Sequence, residues 1–154
     1  GGGGRRWRLG AATAHDLEAI ERIEVASFGN PWLADVYAQE LERDIGCVEV
    51  AEATDGTIVG MFCIWCVASE SHLMRIATDP SRRREGIGRD LLAAALERAQ
   101  SAGCDSMTLE VAASNDAAIE LYAAFGFSVV GRRVGYYRVP PDDALLMRRA
   151  LAKA

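Results

Sequence analysis

With 154 residues and a formal net charge of −5, this chain has the size of one domain and lacks the excess of Lys and Arg that general nucleic-acid-binding proteins use to neutralise phosphates. Hydrophobic residues make up 50% of the chain, and no apolar stretch approaches the about 20 residues of a membrane span. We therefore expect one soluble domain over residues 5–154, with a single core, no membrane contact and no direct binding of nucleic acid.

The first four residues, Gly1–Gly4, contain no Met and are not followed by the apolar segment of a signal peptide. We expect an expression remnant or a flexible leader without function.

Apolar periodicity predicts helices and strands along the rest of the chain. The predicted order is a strand at 7–11, a helix at 13–26, a helix from the break at 30–32 to 43, strands at 47–53, 57–67 and 73–78, a helix at 88–102, a strand at 106–111, a helix at 115–125, and strands at 127–131 and 144–151. Thr13 and Asp16 form a predicted capping box, the dipeptide Asp55-Gly56 suits a hairpin turn, and Gly46 and Gly103 are predicted helix ends.

Four cysteines are present, and only Cys63 and Cys66 have a spacing typical of a metal or redox site. They fall in an apolar strand, where positions three apart point to opposite faces. Buried thiols in a reducing cytoplasm are therefore favoured over a zinc or redox pair. The two histidines, His15 and His72, lack partners at ligand spacing, so surface or capping positions are favoured over a metal site or a catalytic imidazole.

An arginine- and glycine-rich loop, residues 82–89, separates the strand at 73–78 from the long helix. Gly86 and Gly88 remove side chains just where a helix offers unbonded N–H groups and a partial positive charge, so the loop predicts an anion site. Leu91 stands where a dinucleotide fingerprint needs a third glycine, and the Gly-Lys-Ser/Thr of a P-loop is absent. Taken alone, the loop is equally typical of an ordinary surface turn.

The order of strand, Asp79-Pro80, the Arg-x-x-Gly-x-Gly run of residues 83–88 and helix resembles the acetyl-CoA-binding motif of the GNAT superfamily of N-acetyltransferases. Further segments resemble its ribosomal-protein-alanine N-acetyltransferase (RimI-like) branch: Pro31-Trp32, Leu109-Glu110-Val111, Ser114-Asn115, residues 121–127, Tyr136-Tyr137 and residues 143–147. The resemblance covers about residues 11–151. It implies an α/β GNAT fold, a mixed, mostly antiparallel sheet of about seven strands with splayed central parallel strands, flanked by about four helices.

From this resemblance we expect acetyl-CoA as acetyl donor and no metal. The implied cofactor-binding residues are Ile76, Ala77, Thr78, Arg83, Arg84, Glu85, Gly86, Ile87, Gly88, Arg89 and Asn115. In that fold the pantetheine arm binds the backbone of the fourth strand. Asn115 is equally suited to capping the helix that follows it.

Two residues are candidates for the chemistry. Without the resemblance, Glu110 is typical of a solvated residue on a strand, and Tyr122 is typical of a packed aromatic residue. The resemblance implies that Glu110 is the general base and that Tyr122, in the family's Tyr-x-x-x-Gly-Phe, is the general acid. None of the cysteines has a paired base, so we expect direct attack without an acetyl-enzyme.

The implied acceptor-binding residues are Trp32, Glu70, Arg133, Tyr136 and Tyr137, which resemble peptide-recognition loops; packed or interfacial aromatics are the alternative for the rings. Glu70 could pair with a basic second residue of a peptide. Ala112 and Arg75 depart from the branch pattern. An α-amine has a reference pKa of about 8 against about 10.4 for Lys, which favours the α-amine as acceptor.

The sequence therefore predicts a cytoplasmic N-acetyltransferase that moves acetyl to a protein N-terminal α-amine, an N-terminal alanine of a small-subunit ribosomal protein, and that is a monomer or a weak homodimer. The alternatives are a GNAT enzyme for lysine side chains or a small-molecule amine, and a non-catalytic acetyl-CoA-binding module.

Overall fold

The computed structural model describes residues 6–152, so the predicted leader Gly1–Gly4 lies outside the described residues. The elements are β1 Trp7–Ala11, α1 Leu17–Ser27, α2 Ala34–Glu40, β2 Gly46–Ala53, β3 Ile58–Val67, β4 Glu70–Thr78, α3 Ile87–Ser101, β5 Ser106–Ala112, α4 Asp116–Ala124, β6 Ser128–Arg138 and β7 Pro141–Ala150. Between residues 6 and 152 no helix is both long and apolar enough to span a membrane.

The strands form a seven-stranded mixed sheet in the order β1-β2-β3-β4-β5-β7-β6, which confirms the predicted fold class. The pairs β1/β2, β2/β3, β5/β7 and β6/β7 are antiparallel, whereas β4 and β5 are parallel. The parallel ladder joins residues 70–73 to residues 106–109, although β4 continues to Thr78 and β5 to Ala112. Pairing of the two central strands therefore ends at Leu73 and Leu109.

Contacts divide the chain into two compact units: residues up to Trp65 with Met74–Glu97, and Cys66–Leu73 with the residues from Arg98 onward. This division does not test the prediction of one domain over residues 5–154, which stays a prediction. In the first unit, α1 and α2 pack on the strands through a buried cluster of Ile20, Ile23, Tyr37, Val48, Val50, Ile58, Met61, Cys63 and Ala77. Ile20 and Ile23 are three apart, so they share one face of α1.

In the second unit, β5 alternates between a buried and a half-buried face. Met107, Leu109 and Val111 are buried, whereas Thr108 and Glu110 between them are half-buried. This period of two is what a strand covered on one face requires. The same unit buries Tyr122, Phe127, Ala144 and Met147.

Several predicted boundaries were wrong. The second helix begins only at Ala34, because the backbone N–H groups of Trp32 and Ala34 donate to the Glu24 and Glu21 carboxylates, each at 2.8 Å. That helix ends at Glu40, and Gly46 opens β2 rather than ending the helix.

Three strands, β4, β6 and β7, begin or end outside their predicted bounds. β6 runs to Arg138 and β7 starts at Pro141, so residues 133–137 lie in a strand and not in a loop. The apolar pattern stops at Gly131, but ladder hydrogen bonds to β7 carry the strand further. β4 likewise starts at Glu70, after the two-residue turn at Ala68 and Ser69.

Gly60 of β3 lies where a side chain has no room. A Cβ atom there would stand 2.8 Å from Leu91 Cδ1, 3.0 Å from Ile87 Cγ2 and 3.1 Å from the Ala77 carbonyl oxygen. We predict that Gly60→Ala lowers the free energy of unfolding by about 1–3 kcal/mol, because the backbone carbonyl cannot move aside. Chemical denaturation measures this.

Gly10→Ala is the matched control, since a Cβ at Gly10 of β1 meets no atom within 4 Å. Its unfolding free energy should stay within about 0.5 kcal/mol of the wild-type value. Equal stability of the two variants would contradict the crowding at Gly60.

Candidate active site

The loop between β4 and α3 is held by its own short-range hydrogen bonds. The Asp79 carboxylate accepts from the backbone N–H and the hydroxyl of Ser81, at 3.0 and 2.9 Å. The bond from the backbone N–H of Ser81 lowers the pKa of Asp79 most, and the bond from the Ser81 hydroxyl lowers it further. Pro80 begins a single 3₁₀ turn, Pro80–Arg82, because its fixed φ suits the first helical position. The start of the loop is thus shaped before any ligand binds.

Two residues with positive φ then turn the chain into α3. Arg84 has a φ of 68° and Gly86 a φ of 94°. The left-handed conformation costs a residue such as Arg84 about 1 kcal/mol or more, and such strain is concentrated at functional sites. α3 follows at Ile87, which is buried, and the Asp90 N–H makes the first i→i−4 bond, to Gly86 O at 3.1 Å. The N–H groups of the first turn therefore point out of the helix start.

The loop arginines differ in what they contact. Arg82 pairs with Glu85 through two hydrogen bonds, 2.7 and 3.1 Å, and this pairing lowers the pKa of Glu85. Arg83 and Arg84 are exposed. Arg82 is thus neutralised by its neighbour, whereas the other three arginines of residues 82–89, Arg83, Arg84 and Arg89, are exposed.

The strand that leads into the loop has one paired edge. Thr78 and Ile76 of β4 are half-buried and Ala77 is buried. On the β3 side, the Asp79 N–H donates to Val59 O at 2.8 Å. The ladder with β5 stops at Leu73, so the backbone groups of Ile76–Thr78 are not used by that ladder. Backbone groups of this kind require another partner.

Glu110 is held by an arginine of β6. Its side chain is 22% exposed, and Oε1 lies 3.7 Å from Nη1 of Arg133. Arg133 pairs in register with Ala144 of β7, and Glu110 pairs with Leu146, so both side chains belong to one region of the sheet. Two predicted site residues are thus brought together. The arginine limits the directions in which the Glu110 carboxylate can accept a proton.

The acceptor candidates on β6 surround a bulge. Between Arg133 and Tyr137 the register with β7 shifts, and Gly135 takes a φ of 66°. The Gly135 N–H donates to the Asp143 carboxylate at 2.8 Å, and Arg132 binds the same carboxylate at 2.7 Å.

The rings next to this bulge contact one another. Tyr136 and Tyr137 meet edge to face with centroids 5.1 Å apart, and Arg133 lies 5.5 Å from the centre of the Tyr136 ring. Arg133, Tyr136 and Tyr137 therefore form one cluster.

Glu70 is not part of this cluster. It is the exposed first residue of β4, not a loop residue before it, and pairs with Ser106. Ser106 precedes Glu110 by four residues, which corresponds to about 13 Å along a strand. The structure thus separates Glu70 from the other acceptor candidates of the second unit.

Trp32 belongs to a buried polar cluster of the first unit. The fully buried Glu24 carboxylate accepts from the Trp32 backbone N–H and the Tyr37 hydroxyl, and it pairs with Arg75 at 3.5 Å. The Arg75 guanidinium lies 4.7 Å from the Trp32 ring centre and donates to Asn30 O at 2.9 Å. Arg75, which departs from the branch pattern, thus holds the segment between α1 and α2.

Residues 17–127 match the Acetyltransferase (GNAT) family. The chain belongs to this family. N-alpha-acetyltransferase RimI of Mycobacterium tuberculosis is 35% identical over 147 residues, which cover 92% of this chain and 90% of the relative. The [ribosomal protein bS18]-alanine N-acetyltransferase of Escherichia coli K12 is 31% identical over 134 residues, which cover 86% and 89% of the two chains.

Comparison of the fold with solved structures points to the same family. The crystal structure of the ribosomal-protein-S18-alanine N-acetyltransferase from Escherichia coli superposes with a TM-score of 0.87 at 29% identity, covering 96% of both chains. The chain is therefore an acyltransferase of the GNAT family, as the motifs predicted. This family uses acetyl-CoA.

The loop at residues 83–89 has room for an anion beside the start of α3. A Cβ at Gly86 would meet no atom within 4 Å, and one at Gly88 would meet only Thr78 Oγ1, at 3.6 Å. Open space, helix N–H groups and three exposed arginines are the features that suit a pyrophosphate. Residues 83–89 could therefore hold the diphosphate of acetyl-CoA.

Tyr122 of this GNAT chain lies in α4 with 7% of its surface exposed, edge to face with Phe127 at 5.9 Å. Burial, with a smaller effect of Tyr137, raises its pKa to about 12. The phenol therefore keeps its proton at neutral pH, as a general acid must. Asn115 caps the same helix by accepting from the Ala118 N–H at 3.2 Å, which confirms the capping interpretation.

Tyr122→Phe should lower kcat for acetyl transfer by about 100-fold, since the leaving thiolate loses its proton donor. The KM for acetyl-CoA should stay near the wild-type value. Steady-state kinetics with a fixed peptide acceptor measures both.

The raised pKa of Tyr122 also gives that experiment an internal check. The protonated phenol favours the folded state fully below pH 10, the ordinary pKa, and this stability is lost as the pH rises towards 12. Tyr122→Phe should therefore lose less stability than the wild type between pH 10 and pH 12. An unchanged kcat would show that Tyr122 is only a packed aromatic, whereas equal losses of stability would contradict the raised pKa of the buried phenol.

Sequence reasoning missed the environment of His72. Its ring is half-buried and Nδ1 lies 2.7 Å from Thr108 Oγ1, so it is not the surface or capping residue that was expected; His15 is exposed. Alternation along β4 and β5 could have placed His72 on the face of Glu110, but only with the register known.

Cys63 is a buried thiol as predicted, whereas Cys66 is only half-buried. Burial raises the pKa of the Cys63 thiol. Within residues 6–152, no group of three or more His, Cys, Asp or Glu side chains could hold a metal ion.

Proposed function

We propose that this chain transfers acetyl from acetyl-CoA to the α-amine of a protein N-terminus, and that its acceptor is an N-terminal alanine of a small-subunit ribosomal protein. The observation that carries the proposal is the match, over most of the chain, to relatives named for acetylation of that alanine. The cluster of Arg133, Tyr136 and Tyr137 beside Glu110 supports it, because aromatic rings and a flexible cation suit a peptide.

The donor would bind through residues 83–89 at its pyrophosphate and through the backbone of Ile76, Ala77 and Thr78 at its pantetheine arm. The loop supplies N–H groups and the charges of Arg83 and Arg84, which orient the donor at the start of α3. Asn115, which caps α4, is the remaining predicted contact.

In the proposed step the amine nitrogen attacks the thioester carbonyl carbon, the C–N bond forms and the C–S bond breaks. Glu110 accepts the proton that the amine loses, and Tyr122 gives a proton to the departing sulfur. An α-amine has a reference pKa of about 8 and is therefore partly neutral near pH 7. A lysine amine is almost fully protonated at this pH, so the base must remove a proton from a larger fraction of the acceptor.

A peptide comparison tests the acceptor. A peptide starting Ala-Arg should release CoA in the presence of the enzyme, and its N-terminally blocked, Lys-containing analogue should not. Spermidine serves as the small-molecule amine. Turnover only on the blocked peptide or on spermidine would overturn the α-amine proposal, and binding of acetyl-CoA without turnover on any amine would favour a non-catalytic module. A peptide array with labelled acetyl-CoA then identifies the preferred N-terminus.

A further inference from the structure

His72 and Glu110 lie on the same face of the parallel pair β4/β5. His72 is in register with Thr108, and Glu110 follows Thr108 by two residues, so all three side chains point to one side. The next pair, Leu73 and Leu109, is buried on the other side. Diagonal neighbours on one face of two strands are within reach of long side chains. The imidazole and the carboxylate lie close enough to interact electrostatically.

Thr108 contacts both the His72 ring and the Ser71 carbonyl oxygen, and one arrangement of its hydrogen leaves Nε2 of His72 as an acceptor. Nδ1 lies 2.7 Å from Thr108 Oγ1, and that hydroxyl has the Ser71 carbonyl oxygen at 3.5 Å as the acceptor for its own hydrogen. A hydroxyl has a single hydrogen to donate. When it is used for Ser71, Nδ1–H of His72 donates to Thr108, and Nε2 keeps an unprotonated lone pair.

The surroundings of His72 keep the ring neutral. Burial lowers its pKa below the ordinary 6.5, Arg133 on β6 acts in the same direction, and Glu110 on β5 acts against them. Imidazole, with a reference pKa of about 6.5, is better matched to proton transfer near pH 7 than a carboxylate at about 4.3. Arg133 moreover occupies one oxygen of Glu110. The neutral ring is thus a second group in this region that can accept a proton.

We propose that His72 is a catalytic residue of the acetyl transfer and shares the role of base with Glu110. In the step that the proposed function requires, Nε2 of His72 takes the proton of the attacking amine, and the Glu110 carboxylate stabilises the imidazolium. The C–N bond forms, the C–S bond breaks, and the sulfur leaves with the proton of Tyr122. His72 later returns its proton to solvent, which its half-buried position allows.

The variant His72→Asn separates catalysis from packing. Its amide nitrogen can replace Nδ1–H as donor to Thr108, but nothing replaces Nε2. With a peptide starting Ala-Arg, kcat should fall about 100-fold, and the loss of rate that the wild type shows below about pH 6.5 should disappear. The KM for acetyl-CoA and the melting temperature should not change. His15→Asn, at the only other histidine and exposed, is the matched control.

Nitrogen-15 NMR of the His15→Asn protein reports the His72 ring alone. Nε2 should be unprotonated near pH 7, and the ring should titrate below 6.5. A protonated Nε2, or wild-type kcat and an unchanged pH profile in His72→Asn, would overturn the inference. If the wild type acetylates no α-amine peptide, the proposed function is wrong, but this result alone does not overturn the role of His72. The NMR result and His72→Asn kinetics on the amine that the enzyme does accept then decide the role of His72.

Discussion

Glu110→Gln is expected to lower kcat for acetyl transfer by about 100- to 1,000-fold. The amide keeps the size and the position of the side chain on β5, but it neither accepts a proton nor stabilises a cation beside it. The fold should persist, because Arg133, the ion-pair partner of Glu110, is 52% exposed and can return to water. Steady-state kinetics at saturating acetyl-CoA and peptide measures the loss, with the melting temperature as a check of folding.

Glu97→Gln provides the control for this substitution, since Glu97 is exposed on α3 and is not one of the candidate site residues. It should keep wild-type kcat and KM. A Glu110→Gln variant that retains more than about a tenth of the wild-type kcat would remove Glu110 from the base role. Unchanged turnover in both Glu110→Gln and Tyr122→Phe, with acetyl-CoA still bound, would reject the mechanism as a whole.

Gly88→Asp is expected to raise the KM for acetyl-CoA at least 100-fold. A carboxylate at the second residue of α3 would occupy the space beside the helix start and repel the diphosphate, so the charge-assisted hydrogen bonds of the loop would be lost. The effect should lie in donor binding, with the peptide KM unchanged. Titration with CoA, followed by calorimetry, measures the same loss without turnover.

Two further variants separate charge from crowding at Gly88. Gly88→Ala should fold with the wild-type melting temperature, because its Cβ meets only Thr78 Oγ1 at the ordinary contact distance of 3.6 Å. Ala93→Asp puts the same charge on an exposed position of the same helix and should leave the donor KM unchanged. A Gly88→Asp variant that binds CoA like the wild type would show that the anion site lies elsewhere.

Much of the fold followed from local patterns. The period of two in β5, the hairpin turn at Asp55-Gly56 and the capping box of Thr13 and Asp16 all depend on residues close in the chain, and all are confirmed. The loop at residues 83–88 is equally local, so its sequence alone is enough to indicate the family. Boundaries failed where distant partners decide them: acidic side chains of α1 delay the start of α2, and pairing with β7 extends β6.

The sequence by itself determined the family, the order of the elements and the identity of Glu110, Tyr122 and the phosphate loop as candidates, because each rests on a contiguous motif. Only the tertiary structure decided which groups meet. Arg82 is neutralised by Glu85, and Glu110 is paired with Arg133. Glu70 lies about 13 Å from Glu110 along the strand direction, and His72 shares the face of Glu110. The physical reason is register: which side chains share a face depends on how two strands align, and no short stretch of sequence contains that alignment.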